Sequence, residues 1–355
     1  MADRLGHILC ITSFGESHGP SVGVVIEGMP PAFPIDLNHI HRELQRRRPG
    51  QSKLTTQRNE GDDFKIVSGV FEGRSTGAPI CILIPNNNQH SSDYDHLKNV
   101  YRPGHADRVY DLKYGIRDHN GGGRSSARIT AGWVAAGAIA KQFIKQVAQI
   151  NIQSVVSKIH HIEVPNVYEL DWHEAEDNLV RCPDPGIAEK MILHIESLKN
   201  EGDSVGGIIS TKIENCPIGL GEPVFDKLNA EIGKAILSIN AVKGIEFGAG
   251  FAATDMKGSE HNDAPLNGSN NEGGITGGIS NGKMITFNTA FKPVSSISKP
   301  QTSIDKDGNE IELKIEGRHD PCVLPRAVPI VEAMTALVVA DHWLMNLKNQ
   351  IMTEL

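Results

Sequence analysis

Short runs rich in β-branched residues, bounded by Gly or Pro, recur along the chain. They predict strands at residues 5–12, 21–27, 64–70, 80–84, 152–162, 204–213, 245–251 and 284–291. Longer stretches with helical spacing separate them. One spans 36–48, with Asp36 as its N-cap and Pro49-Gly50 as its stop. Two more, 126–147 and 187–200, follow a Gly-rich and a Pro-Gly turn, and others lie at 224–239 and 329–347, with Pro329 suited to a first helical turn. The strands precede and interrupt the helices without a βαβ rhythm, so an α+β class is expected. No repeat and no Pro/Ser-rich linker divides the sequence, and 1–355 reads as one domain. Residues 257–282 form a polar Gly/Asn-rich stretch that predicts a lid or a surface excursion. The apolar segment 328–344 contains Glu332, Asp341 and His342, which argues for a buried helix and against a membrane span.

Composition narrows the chemistry. The 355 residues carry a formal charge of −8, and the pI is about 6.0. Of 15 arginines, 14 fall in residues 1–128 or 318–355, leaving Arg181 alone between them. Nucleic acid asks for a broad basic surface; guanidiniums gathered into short stretches of an acidic chain point to a small anion instead. The 36 glycines predict tight turns or close backbone approach to a ligand. Five scattered cysteines, never in a C-x-x-C pair, fit buried reduced thiols better than disulfides or zinc. The N-terminus lacks a secretory cleavage pattern, so a cytoplasmic location without membrane or nucleic-acid partners is expected.

Several short motifs carry candidate chemistry. Gly15-Glu16-Ser17-His18-Gly19 satisfies G-x-S-x-G, but a second strand follows where a nucleophile elbow needs a helix. A hairpin turn explains its glycines; the functional alternative is a turn that exposes His18 and Ser17. Arg46-Arg47-Arg48 closes a helix, where cations suit the dipole, yet three consecutive arginines fan around the axis and also fit a phosphate or carboxylate clamp. In Arg102-Pro103-Gly104-His105-Ala106-Asp107 a Pro-Gly turn presents a histidine as a candidate general acid. Gly121-Gly122-Gly123-Arg124-Ser125-Ser126-Ala127-Arg128 leads into a helix and is the strongest anion-site signal. It is not a P-loop. Lys292-Pro293-Val294-Ser295-Ser296 and Arg318-His319-Asp320-Pro321 add a cation, two hydroxyls and a carboxylate. No metal-ligand spacing is visible. A serine hydrolase using Ser17 and a non-enzymatic binder of phosphorylated ligands remain as competing readings.

Taken in order, FGESHG (14–19), RRRPG with TTQR (46–58), RPGHAD (102–107), GGGRSSAR (121–128), SINAVKG (238–244), KPVSS (292–296) and GRHDPCV (317–323) resemble the chorismate synthase family across nearly the whole chain. The resemblance implies a lyase that eliminates phosphate from 5-enolpyruvylshikimate 3-phosphate by a 1,4-anti route, in the shikimate pathway of aromatic amino acid biosynthesis. It implies a need for reduced FMN without net redox change, and a β-α-β sandwich with helices between antiparallel sheets, assembled as a homotetramer. It assigns acid–base roles to His18, His105 and Asp320. It places Arg124, Ser125, Ser126, Asn240, Ala241, Gly277, Lys292, Pro293, Val294, Ser295, Ser296 and Arg318 at the flavin, and Ser17, Arg48, Arg102, Arg128 and Arg318 at the substrate. Arg47 and Lys53 would face NADP; many family members carry Arg where this chain has Lys53. The chain has no room for a fused flavin reductase, so the monofunctional type is implied. NADPH would then act only indirectly, through a separate reductase that supplies the reduced FMN.

Overall fold

The computed structural model describes residues 3–50, 61–87, 94, 96–265, 268–315 and 320–351. Two five-stranded antiparallel sheets dominate. The first runs, in spatial order, Arg4–Leu5, Cys10–Gly15, Ser21–Glu27, Ile80–Pro85, Lys65–Ser68. The second runs Val242–Phe247, Ile285–Phe291, Gly207–Glu214, Asn151–Ile159, Ile162–Glu163. The helices are α1 (Leu37–Arg47), α2 (Asp107–Tyr114), α3 (Thr130–Ala148), α4 (Pro185–Asn200), α5 (Leu228–Leu237), α6 (Gly258–His261) and α7 (Leu324–Ile351). Helices α1, α3 and α7 pack on one another; α3 touches both sheets and α7 the second. The result is a β-α-β sandwich of the α+β class.

The central layer explains the apolar stretches. Helix α3 buries residues on every side, and α7 has no polar face along its first four turns, as helices enclosed between sheets must. Their close approach is set by Gly137, where a Cβ would lie 2.3 Å from that of Ala333. Although α7 is long and apolar enough to cross a membrane, 83% of its most apolar window is buried within the protein.

Several boundaries differ from the sequence expectation for physical reasons. Asp36 caps α1 as expected, accepting from the Asn38 amide at 2.8 Å. The strand expected at 5–12 is broken because Asp341, buried on α7, accepts the amides of His7, Ile8 and Leu9 at 2.7–2.9 Å. The helix expected at 224–239 starts only at Leu228, since Asp226 takes a left-handed φ of 59°. Pro329 lies inside α7 and not in its first turn. Its missing N–H leaves the Pro325 carbonyl without a helical donor, and the Arg181 guanidinium supplies one. The isolated arginine of the middle region is thus a helix repair. Four of the five cysteines are buried and Cys81 is half-buried, all as free thiols.

The stretch 257–282 is organised by its own side chains. The Asp263 carboxylate accepts from Ser269 Oγ and from the Asn271 and Glu272 amides at 2.7–2.9 Å. Lys283 ties the carbonyls of Ala264 and Ser269. None of its described residues lines the cleft considered next.

Candidate active site

Stretches far apart in sequence meet at a cleft of about 670 Å³, lined by Arg102 and Gly104–Ala106, Gly121–Gly122 and Arg124–Thr130, Ser238–Ala241, Lys292–Ser296, and by Asp320 and Arg326 near the start of α7. That volume suits a small-molecule site. Of the described lining residues six are cationic (Arg47, Arg102, Arg124, Arg128, Lys292, Arg326) and one, Asp320, is acidic.

The Gly15–Gly19 turn joins two strands of the first sheet, and the Asn86 amide clamps it by donating to the carbonyls of Glu16 and Gly19 at 2.9 and 2.8 Å. Ser17 is fully buried, its Oγ 3.3 Å from the Gly121 carbonyl and 3.2 Å from His18 Nδ1. A serine so enclosed is poorly placed as a hydrolase nucleophile. Gly121 has to be glycine: it holds φ 75°, and a Cβ there would fall 1.9 Å from the His18 ring. His18 stands edge-on to Tyr94 at 5.1 Å. Tyr94 and Gly121 both line the cleft, so His18 sits at its border.

His105 lies deeper. Its Nδ1 is 3.0 Å from the Pro103 carbonyl and its Nε2 2.9 Å from Ser296 Oγ. A carbonyl only accepts, so Nδ1 carries the proton and Nε2 accepts from the Ser296 hydroxyl. Burial, with Arg102 nearby, lowers its pKa below the ordinary imidazole value, and Lys292 adds to the effect. Lys292 donates to the Gly104 carbonyl at 3.0 Å and to Ser295 Oγ at 2.7 Å, both neutral groups.

The arginines are held from behind by carboxylates. Arg102 makes a two-pronged pair with Asp107 at 2.8 and 2.9 Å, and Arg117 approaches the same carboxylate at 3.3 Å. Arg47, 1% exposed, pairs with Asp62 at 2.5 Å. Arg128 pairs with that same carboxylate and donates to Asn86 Oδ1 at 2.9 Å. Burial alone would raise the Asp62 pKa, but the two guanidiniums bring it below the usual range. Asp320 pairs with Arg326. Arg124 turns toward the first sheet, donating to the carbonyls of Gly15 and Ser13 at 3.0 and 3.1 Å. Ser125 Oγ donates to the Gly122 carbonyl, Ser126 Oγ accepts the Arg128 amide, and Asn240 Nδ2 donates to the Ser125 carbonyl. Asn240 Oδ1 is buried without a partner among the described residues. The following residue, Ala241, holds a left-handed φ of 70°.

The fold thus gathers Arg102, His105, Arg124–Ser126, Arg128, Asn240, Ala241, Lys292–Ser296 and Asp320, with Arg47, around one cavity. Arg48 caps α1 half-buried and is not among the lining residues. Gly277 is exposed at the turn between the short strands Ile275–Thr276 and Ile279–Ser280, also outside the lining. Lys53 and Arg318 lie outside the described residues. Sequence reasoning missed Asp62, Asn86, Tyr94, Asp107 as the Arg102 anchor, Arg117 and Arg326. Arg326 had a legible signal, being the only charged residue in the opening turns of an apolar helix. Nothing in the sequence separates Asp62 from its neighbour Asp63.

A larger cavity of about 890 Å³ lies beside Arg46 and Lys141. There Arg46 reaches Glu43 and Glu332 at 3.0 and 2.6 Å, and Lys141 reaches them at 2.8 and 2.6 Å. Those charges cancel. The smaller, cation-rich cleft has the chemistry of an enzyme acting on a small polyanion.

The comparisons agree with that class. A family model described as chorismate synthase matches residues 9–344. The chain is 54% identical over 354 residues to a chorismate synthase of Christiangramia forsetii, covering 98% of this chain and 99% of that one. It is 51% identical over 356 residues to one of Prochlorococcus marinus, covering 98% of each. A solved structure described as the crystal structure of chorismate synthase superposes with a TM-score of 0.76 at 31% identity, covering 96% of this chain and 93% of that one. The chain belongs to the chorismate synthase family. It is a lyase of aromatic amino acid biosynthesis that eliminates phosphate from 5-enolpyruvylshikimate 3-phosphate to give chorismate, in a family that uses reduced flavin.

Proposed function

We propose that the cleft around His105 and Arg128 holds the enolpyruvyl phosphate and reduced FMN together, and that the elimination takes place there. The observation that supports this most is the charge of the described lining: six cations and one carboxylate. The substrate brings a phosphate and two carboxylates, and FMN brings another phosphate. The flavin fits on independent grounds. Asn240 Oδ1 is an orphaned acceptor at the cleft wall, suited to a ring N–H, and Ala241 has no long side chain to obstruct a planar ring. When bound, reduced flavin supplies electron density to the breaking C–O bond and recovers it as the ring proton leaves, so there is no net redox change.

The chain's own groups provide charge and protons. Lys292, bonded to neutral groups, is the cation most ready to meet a phosphate. His18 in its protonated form donates Nδ1–H to Ser17, whose hydroxyl proton goes to the Gly121 carbonyl, and gives its Nε2 proton to departing phosphate, becoming the neutral Nδ1–H imidazole. His105 uses Nε2 likewise, with Ser296 turning from donor to acceptor as the ring charges. Asp320, paired with Arg326, is the carboxylate this reading assigns to a second transfer. Arg47 is committed to Asp62 beneath the cleft, so this reading gives it to the site's electrostatics; NADPH enters only through a separate reductase. Helix α2 exposes Val109, Leu112 and Tyr114, with Ile116 just beyond, next to the cleft residue Tyr110, an apolar face suited to burial in a homotetramer.

The test is anaerobic. Protein, photoreduced FMN and the enolpyruvyl phosphate are mixed, and phosphate release and chorismate absorbance are followed. Both rise together if the reading holds; activity with oxidised flavin, or none with reduced flavin, would contradict it.

A further inference from the structure

Away from the cleft, two histidines occupy a turn that ordinarily asks for Asn or Gly. Lys158 pairs with Glu163 and Ile159 with Ile162, so His160-His161 is the whole two-residue turn between strands Asn151–Ile159 and Ile162–Glu163. His160 takes a left-handed φ of 54°. Non-glycine residues adopt that region at a cost, and a strained residue retained at a surface turn invites a functional explanation. The left-handed turn brings both imidazoles to one side, where His194 of α4 meets them. His160 Nδ1 lies 2.9 Å from His194 Nε2 and 3.1 Å from His161 Nδ1. All three ligand atoms lie within 4.8 Å of one another.

Three nitrogens so close are badly matched as hydrogen-bond partners. His160 Nδ1 has either one proton or one lone pair to satisfy two neighbouring ring nitrogens. A divalent cation removes that conflict by accepting a lone pair from each. Tetrahedral Zn–N bonds of about 2.0–2.1 Å put ligand nitrogens about 3.3 Å apart, only a few tenths of an ångström beyond the two short separations here. His160 and His161 are exposed and His194 half-buried, so an ion can enter and the fourth position faces solvent.

We propose that His160, His161 and His194 form a tri-imidazole site for a divalent transition ion of the zinc type, with water as the fourth ligand. The ion clips the edge of the second sheet to α4. Imidazole ligands favour Zn²⁺, Ni²⁺, Cu²⁺ and Co²⁺ over Mg²⁺ or Ca²⁺. No sequence spacing reveals the site, because His194 joins the turn only through the packing of α4 on the hairpin.

The experiment titrates untagged, chelator-treated full-length protein with Co²⁺ and follows the visible spectrum, then displaces the cobalt with Zn²⁺. One Co²⁺ per chain with the intense bands of four-coordinate cobalt is expected. His194→Gln and His161→Gln should each weaken binding by about 100-fold or more while leaving elimination activity intact, which also reports folding. A spectrum that stays that of the hydrated ion would overturn the proposal, as would equal Co²⁺ affinity in the wild type and both variants.

Discussion

Arg46 and Arg47 are neighbours in sequence with opposite fates. Among the described residues, Arg46 enters a set in which it, Lys141 and Arg181 face Glu43, Glu332 and Glu176 at 2.6–3.2 Å. Cations and carboxylates are equal in number, and the cluster braces α1, α3 and α7. Among the described residues, Arg47 enters a set with two guanidiniums, its own and that of Arg128, around the carboxylate of Asp62. Asp107 sits between Arg102 and Arg117, and Asp111 approaches Arg117 from its other side at 3.8 Å. The balanced cluster is structure, whereas the Arg47 and Arg128 pair, opening into a cleft beside Lys292, calls for an anionic ligand. Arginine density alone does not mark a site; an excess of cations over carboxylates among the described residues of a cavity wall does.

The largest test of that contrast is kinetic. His105→Ala removes a proton donor from the unbalanced region, and anaerobic turnover should fall by about 10²–10⁴-fold with thermal stability little changed. Wild-type turnover would take His105 out of the mechanism.

The balanced region should fail differently. Burial would raise the Glu332 pKa, yet Arg46 and Lys141 bring it down to about 2. A carboxylate with a depressed folded-state pKa stabilises the fold above its unfolded value, near 4.3, and loses that contribution as the pH falls toward 2. Glu332→Ala should therefore cost about 3–5 kcal/mol in denaturant unfolding at pH 7. It should flatten the acid limb of stability and leave the substrate KM of the folded enzyme unchanged. A shifted KM with unchanged stability would reverse the assignment.

A smaller effect sharpens the role of charge in the cleft. Burial, Arg102 and Lys292 lower the His105 pKa in the free protein. An anion bound beside those cations offsets their field, raises the imidazole pKa and draws in a proton. Calorimetry of substrate binding near pH 6.5, repeated in buffers of different ionisation enthalpy, should show uptake of a fraction of a proton, absent in His105→Ala. Proton release on binding would contradict it.

Much of this contrast was legible in the sequence, but not which arginine does what. The Asp36 cap, the strand at 21–27 and the long buried helices follow from local pattern, and the motifs named the family. Local pattern could not show that Arg46 and Arg47 part company, because a helix turns about 100° per residue and only the packed neighbours decide what each side chain meets. Asp62 reaches Arg128 across 66 positions, and His194 reaches His160 across 34. Pro329 misled because its tolerance inside α7 depends on Arg181, far away in sequence.

Equilibrium binding of 5-enolpyruvylshikimate 3-phosphate to Arg46→Gln and Arg128→Gln, each with oxidised FMN present, separates the two arginines. The Kd should rise by about 10–100-fold for Arg128→Gln, the loss of a charge-assisted contribution of about 1.5–3 kcal/mol. For Arg46→Gln the Kd should stay near the wild-type value, with the damage confined to stability. Equal weakening by both substitutions, or weakening by Arg46→Gln alone, would contradict the contrast.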